Sequence, residues 1–296
     1  MQMMTTNQKS LLMSNIDYSE RINHYLDNYL SDKGSLTEAM RYCVLSGGKR
    51  FRPILTYSVA NTFSTELAQA DTAACAVEMI HAYSLIHDDL PAMDDDDIRH
   101  NQPACHKRFG EAQAILAGDG LQALAFEVLA NDALLSAEVK IALLKTLTQS
   151  AFEMAHGQSI DLSVVDTTID LETLKTMHQK KTGALLSCAV RMGALISKNC
   201  LLDDLNALEK FSSSIGLAYQ VQDDVLDVLT PESKLGKNQN SDEDKNKPTY
   251  PKLIGLEASK SVYQDLYGEA YGALDELSVD ASELKQLTQK LKQRSF

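Results

Sequence analysis

Apolar residues recur along this chain at steps of three and four, the spacing of one helix face, and strand-like alternation is hard to find. The clearest stripe is Leu171, Leu174, Met177, Lys181, Leu185, Cys188, Met192 and Leu195. The pattern predicts helices at about 111–131, 137–157, 170–197, 203–229 and 257–277. Ser35 and Glu38 fit a capping box that opens a helix toward Leu45. The segment SGGKRFRP then interrupts the pattern, Gly47 and Gly48 loosening the backbone before Pro53, and Ile54 to Thr62 resume it. Another helix is expected from about Leu67 to Leu90, ended or kinked by Pro91. Residues 230–251 are polar and charged and carry Pro231, Gly236, Pro248 and Pro251. A loop of that length is either disordered or a functional lid. No linker divides the chain, so one α-helical domain over residues 1–296 is expected.

Composition narrows the picture. The 296 residues are 44% hydrophobic, enough for a sizeable core, and the net charge of −13 argues against a nucleic-acid partner. No uninterrupted apolar stretch approaches the roughly 18 residues of a membrane span, and no secretory signal opens the chain. Five cysteines without CxxC spacing read as reduced thiols, hence a cytoplasmic protein.

The chemistry is concentrated in two acidic clusters. The first, SLIHDDLPAMDDDD, carries Asp88, Asp89 and Asp94 to Asp97; the second, AYQVQDDVLDV, carries Asp223, Asp224 and Asp227. Two unit charges about 4 Å apart repel by roughly 4 kcal/mol at an effective dielectric near 20. A divalent cation offsets that cost, and hard oxygen ligands suit Mg²⁺ bound together with substrate phosphates. Successive helical residues turn by about 100°, so Gly216, Gln220, Asp223 and Asp227 share a face while Asp224 points away. Asp88 and Asp89 fall in a last helical turn, where the macrodipole disfavours negative charge by roughly 0.3–1 kcal/mol. A locally unfavourable placement of this kind marks functional sites.

Cations accompany the acids. Lys181 interrupts the apolar stripe and either snorkels or faces a polar cavity; the neighbouring Thr182 and Gly183 and a diphosphate to be countered favour the cavity. GGKRFRP offers Lys49, Arg50 and Arg52 as an anion cradle, but it is not a Walker loop and no GxGxxG is present. His87 followed by Asp88 raises a rival class, a metal-dependent phosphohydrolase, which leaves the second cluster and the lysines unexplained. A non-catalytic helical protein that merely binds Mg²⁺ is a further alternative, and the intact acidic and basic sets argue against it.

GGKRFRP, EMIHAYSLIHDDLPAMDDDDIR, FGEAQAILAGD, KTGALLSCAVRMGA and GLAYQVQDDVLDV, in this order and spacing, resemble the trans-polyprenyl diphosphate synthases, nearest the bacterial farnesyl type. The resemblance covers about residues 36 to 256. It implies an all-α isoprenoid-synthase bundle around a deep central cavity, with the two acidic motifs facing each other across its mouth. It implies Mg²⁺, three ions, on Asp88, Asp94 and Asp223 together with Asp89 and Asp227. Asp88, Asp223 and Lys181 would carry the ionisation. Arg99, Lys181, Thr182, Gln220, Lys237 and Lys247 would bind the diphosphate of an allylic substrate; Lys49, Arg52 and His81 would bind that of isopentenyl diphosphate. The implied reaction is head-to-tail prenyl transfer giving farnesyl diphosphate, with the geranylgeranyl product as the alternative. Members of the family are commonly homodimers.

In that family, the residues four and five places before the first aspartate floor the cavity and set product length; here they are Ser84 and Tyr83. The aromatic at the fifth place, with the two-residue insertion in DDxxxxD, resembles the C15 type. Two stretches depart from the family pattern. His100 stands where a second arginine is usual, a weaker diphosphate ligand that Lys107 or Arg108 would compensate. NKPTYP replaces GKSTYP, putting Asn246 and Pro248 beside Lys247.

Overall fold

The computed structural model describes residues 6–229 and 247–294, with side chains from Tyr18 onward. Among these residues the fold is all-α apart from one two-stranded hairpin. The chain forms two compact units. The first comprises the residues up to Lys145 together with Met192–Lys198; the second comprises Thr146–Arg191 and the described residues from Asn199 onward.

Within the first unit run α1 (Thr6–Tyr29), α2 (Ser35–Leu45), α3 (Phe51–Thr62), α4 (Leu67–Asp88), the hairpin β1 (Ile98–Arg99) and β2 (Gln102–Pro103), α5 (Cys105–Phe109) and α6 (Glu111–Ala130). Helix α4 is apolar around its whole circumference, and 14 of its 22 residues are buried, as befits the innermost helix of a bundle. It packs chiefly on α6 and α3. Two of its buried acids are paired. Asp71 takes Arg21 Nε and Nη2 and the Tyr57 hydroxyl at 2.5, 2.5 and 2.7 Å, and Glu78 takes Arg50 Nη1 at 2.8 Å.

Helices α7 (Ala137–Ser163) and α9 (Ala184–Ile196) contribute residues to both units. The second unit adds α8 (Leu171–His178), a π-helical turn (Gln179–Gly183), α10 (Leu202–Leu229), α11 (Tyr250–Ile254), α12 (Leu256–Asp275) and α13 (Ser282–Lys292). Helix α10 lies along α12, and Val164, Leu174, Met177, Leu217, Val221 and Tyr250 close one apolar cluster. Asp204 is buried and ties the start of α10 to Ser278 through the backbone N–H at 2.7 Å and the hydroxyl at 2.9 Å.

The helical periodicity translates closely into elements. The 170–197 stripe is one helical run, but a π turn at Gln179–Gly183 breaks its register. Helix α7 continues through Ser163, six residues past the expected end. The capping box at Ser35 is not formed: Gly34 occupies the N-cap, and no side chain caps the helix. Helix α4 stops at Asp88, ahead of Pro91. Helices α1, α5, α11 and α13 were not anticipated. α1 and α13 are strongly polar, and α5 and α11 are only five residues each.

Candidate active site

The first acidic motif is a helix end continued by a tight turn. Asp88 closes α4 and Asp89 is its C-cap. The Asp94 N–H donates to the Asp88 carbonyl at 2.8 Å, and the Met93 and Asp95 N–H groups donate to the Leu90 carbonyl at 2.8 and 3.1 Å. The orphan carbonyls of the helix end are thereby satisfied, and Asp94 is folded back beside Asp88. Asp88 and Asp94 are half-buried, whereas Asp89 is buried and its carboxylate is clamped by Arg99 through both Nε and Nη2. Asp89, expected among the metal ligands, accepts from Arg99, itself expected to bind a diphosphate.

A cationic cluster stands beside this motif. His81, half-buried on α4, is held well below the usual histidine range by burial and by Arg52, His100, Arg99 and Arg50 around it. It is therefore a neutral N–H donor. Lys49 is exposed on the glycine loop and Arg52 half-buried at the start of α3. Arg50 does not join the cradle: it is buried and bonded to Glu78, to the Val44 carbonyl at 2.6 Å and to Asn23 at 2.8 Å. His100 and Asn101 form the two-residue turn of the β1–β2 hairpin, with φ of 51° and 60°. Two successive positive φ values belong to a type I′ turn, which suits asparagine and tolerates histidine. That turn lays the His100 side chain against Gly47 and Gly48, where added Cβ atoms would lie 3.5 Å from it. Of the two residues expected to compensate for His100, Lys107 pairs with Asp97 at 2.7 Å, and Arg108 lies 4.6 Å over the Tyr42 ring.

Tyr83 is buried, its ring edge against His87 and its hydroxyl bonded to Gln122. Ser84 turns its hydroxyl to the His81 carbonyl at 2.8 Å. His87 itself fills the space where Gly118 lacks a side chain; a Cβ there would lie 2.2 Å from Nε2.

In the second unit, α10 carries Gln220, Asp223 and Asp227, all half-buried. Asp224 is buried instead and accepts from the Tyr250 N–H at 2.9 Å, with His178 Nε2 at 3.2 Å. Asp224 thus points away from the Asp223 face, as the helical register predicts, and that side of α10 packs against α8 and α11. Asp223 meets Arg294 Nη1 at 2.6 Å, a partner that the sequence did not single out. Arg294 also lies 3.7 Å over the Tyr219 ring.

Lys181 is tied to a buried acid. Its ammonium reaches Asp161 Oδ2 at 2.7 Å, and Lys247 meets the same oxygen at 3.0 Å. Asp161 is buried; burial raises its carboxyl, but Lys181 and Lys247 outweigh this and leave it below the ordinary value. The π turn sets Lys181 and Thr182 in this place, and Gly157 permits it, because a Cβ there would sit 2.2 Å from the Lys181 nitrogen. Asp161 and Gly157 lie in AHGQSIDLS, which the helical pattern alone passed over. A glycine and an acid four residues apart on one helix face were the available signal. Lys237 and Asn246 lie outside the described residues, as does most of the 230–251 loop.

A family model described as polyprenyl synthetase matches residues 33–288. The farnesyl diphosphate synthase of Haemophilus influenzae is 45% identical over 269 residues, covering 88% of this chain and 91% of that protein. A solved geranyltransferase from Legionella pneumophila is 34% identical with a TM-score of 0.87, covering 98% of this chain and 99% of that one. A geranyltransferase from Helicobacter pylori, solved complexed with magnesium and isoprenyl diphosphate, is 32% identical with a TM-score of 0.84 and covers 99% and 98%.

Proposed function

This chain belongs to the polyprenyl synthetase family, and from that premise we propose that it condenses isopentenyl diphosphate with dimethylallyl or geranyl diphosphate to give (E,E)-farnesyl diphosphate. It is a prenyltransferase of isoprenoid biosynthesis. The observation that carries the C15 reading is likeness to farnesyl diphosphate synthases along nearly the whole chain. The one family match, residues 33–288, runs through both units, and we take residues 1–296 as a single synthase domain.

The donor set fits Mg²⁺. Asp88, Asp94, Asp223 and Asp227 offer carboxylate oxygens only, half-buried, with no sulfur or imidazole among them. We assign three ions to this set; when bound they supply Lewis-acid stabilisation of the departing diphosphate. Asp89 serves by holding Arg99. Arg99, Lys181, Thr182, Gln220, Lys237 and Lys247 bind the allylic diphosphate and stabilise the charge that grows on its leaving oxygen as the C–O bond breaks. Asp161 fixes where two of those ammonium groups stand. Lys49, Arg52, His81 and His100 hold isopentenyl diphosphate, His81 as a neutral donor. The double bond of that substrate attacks the allylic cation, and the released diphosphate takes the proton, so no side chain is needed as base.

Tyr83, anchored by Gln122 and His87, is the floor that stops growth at C15, with Ser84 beside it. Exposed Ile115, Leu116 and Ile141 are the kind of surface a second copy covers, and we propose a homodimer. No described helix is long and apolar enough to cross a membrane, and a cytoplasmic location is proposed. The test is incubation with labelled isopentenyl diphosphate, geranyl diphosphate and Mg²⁺, followed by sizing of the dephosphorylated alcohols. A C15 alcohol is expected; a dominant C20 alcohol, or inorganic phosphate without chain growth, overturns the reading.

A further inference from the structure

The turn that follows the first motif brings together three groups for which the prenyl transfer has no use. Asp95 sits at φ 51°, a left-handed residue that folds the acidic run back on the helix end. The hairpin then returns the chain, and the Ala104 N–H donates to the Asp97 carbonyl at 2.8 Å. That bond sets the first turn of α5 against the acidic turn, with His106 on it. One carboxylate oxygen each from Asp95 and Asp97 and one ring nitrogen of His106 all lie within 4.8 Å of one another.

His106 points to a ligand. It is only 6% exposed, and neither ring nitrogen has a hydrogen-bond partner among the described residues. A buried polar group left unsatisfied costs about 1–3 kcal/mol, and a core histidine kept only for packing would normally bond a carbonyl. Asp95 and Asp97 are exposed; Lys107 takes Asp97 Oδ1 at 2.7 Å, and a carboxylate has lone pairs to spare for a second partner. Two carboxylates against one ammonium leave a local charge that favours a cation.

We propose that Asp95, Asp97 and His106 form an accessory site for a divalent first-row transition ion of the Zn²⁺ or Mn²⁺ class. The imidazole nitrogen separates it from the all-oxygen set of Asp88, Asp94, Asp223 and Asp227, because nitrogen donors favour such ions over Mg²⁺. Ligand atoms about 2.1 Å from one ion stand about 3–4 Å apart, so exposed loop carboxylates need only a small inward shift. Waters complete the coordination. The bound ion clips the acidic turn to α5, and the clipped backbone is the one that carries Asp94 and Arg99. The site needs only residues of the first unit and stands whether or not the prenyl-transfer reading holds.

The test uses the full chain, stripped with a chelator and titrated with Mn²⁺ in millimolar Mg²⁺, which competes for the all-oxygen carboxylates. Pulsed paramagnetic resonance reads imidazole nitrogen coupled to the Mn²⁺. Wild type is expected to show that coupling, His106→Gln to lose it, and Asp88→Asn and Asp223→Asn to keep it. Asp95→Asn, on the exposed turn, should weaken this Mn²⁺ binding at least tenfold, and it decides the matter even if His106→Gln fails to fold. No nitrogen coupling in wild type, its persistence in His106→Gln, or unchanged affinity in Asp95→Asn overturns the site.

Discussion

Each acidic motif opens on an Asp-Asp pair, and in each the second acid is the one turned inward. Asp89 and Asp224 are 2% and 4% exposed, while Asp88 and Asp223 are half-buried. The two buried charges are answered differently. Asp89 has a guanidinium from the following hairpin, whereas Asp224 has a backbone N–H from α11 and the His178 ring. Neighbouring residues on a helix point about 100° apart, so such a pair cannot aim both carboxylates at one ligand. One acid of each pair anchors its segment; the other lies nearer the surface.

The cations beside the two motifs differ in the same spirit. Around His81 stand Arg52, His100, Arg99 and Arg50, and Arg99 and Arg50 each take a separate carboxylate, Asp89 and Glu78. Lys181 and Lys247 instead share one buried acid, Asp161. The first set is tied down acid by acid, the second through one carboxylate shared between two lysines.

The sharpest way to break the distinction between the paired acids is to neutralise each in turn. Asp88→Asn and Asp223→Asn should lower kcat by about a hundredfold or more with the melting temperature nearly unchanged. Asp89→Ala and Asp224→Ala should lower the melting temperature by about 5–10 °C, since each strands buried partners. Thermal melts alongside single-turnover rates separate the two outcomes, and equal kcat losses without destabilisation in all four would erase the contrast. Gly157→Ala comes next. Its Cβ collides with the Lys181 backbone, so kcat should fall by about tenfold together with a loss of about 1–3 kcal/mol in denaturant titration.

Tyr83→Ala leaves both motifs intact and should move the main product from C15 toward C20 by chromatography of the alcohols; unchanged length removes Tyr83 as the floor. Asp161 gives a pH signature. Its folded carboxyl lies below the ordinary value, so its contribution to stability is complete above about pH 4 and disappears as pH falls through the folded value. Asp161→Asn should flatten that acid limb in stability–pH curves, and an unchanged limb would mean the lysines do not hold the acid as described. The smallest effect is expected from His100→Arg, which should lower KM for isopentenyl diphosphate about two- to fivefold by restoring a fork of donors beside His81. An unchanged or higher KM would show that the imidazole over Gly47 and Gly48 is not a diphosphate contact.

Periodicity alone determined the helical class and most helix positions, because burying one stripe of each helix is a local consequence of side-chain spacing. The aspartates, Lys181 and the loop cations were also legible, since charge set into apolar surroundings is visible without coordinates. Which acid of each pair faces inward, that Arg50 leaves the cradle for Glu78, and that Asp161 gathers two lysines were decided by packing between segments 10 to 86 residues apart. Burial of a charge depends on what a distant helix brings to answer it. No local spacing encodes that partner.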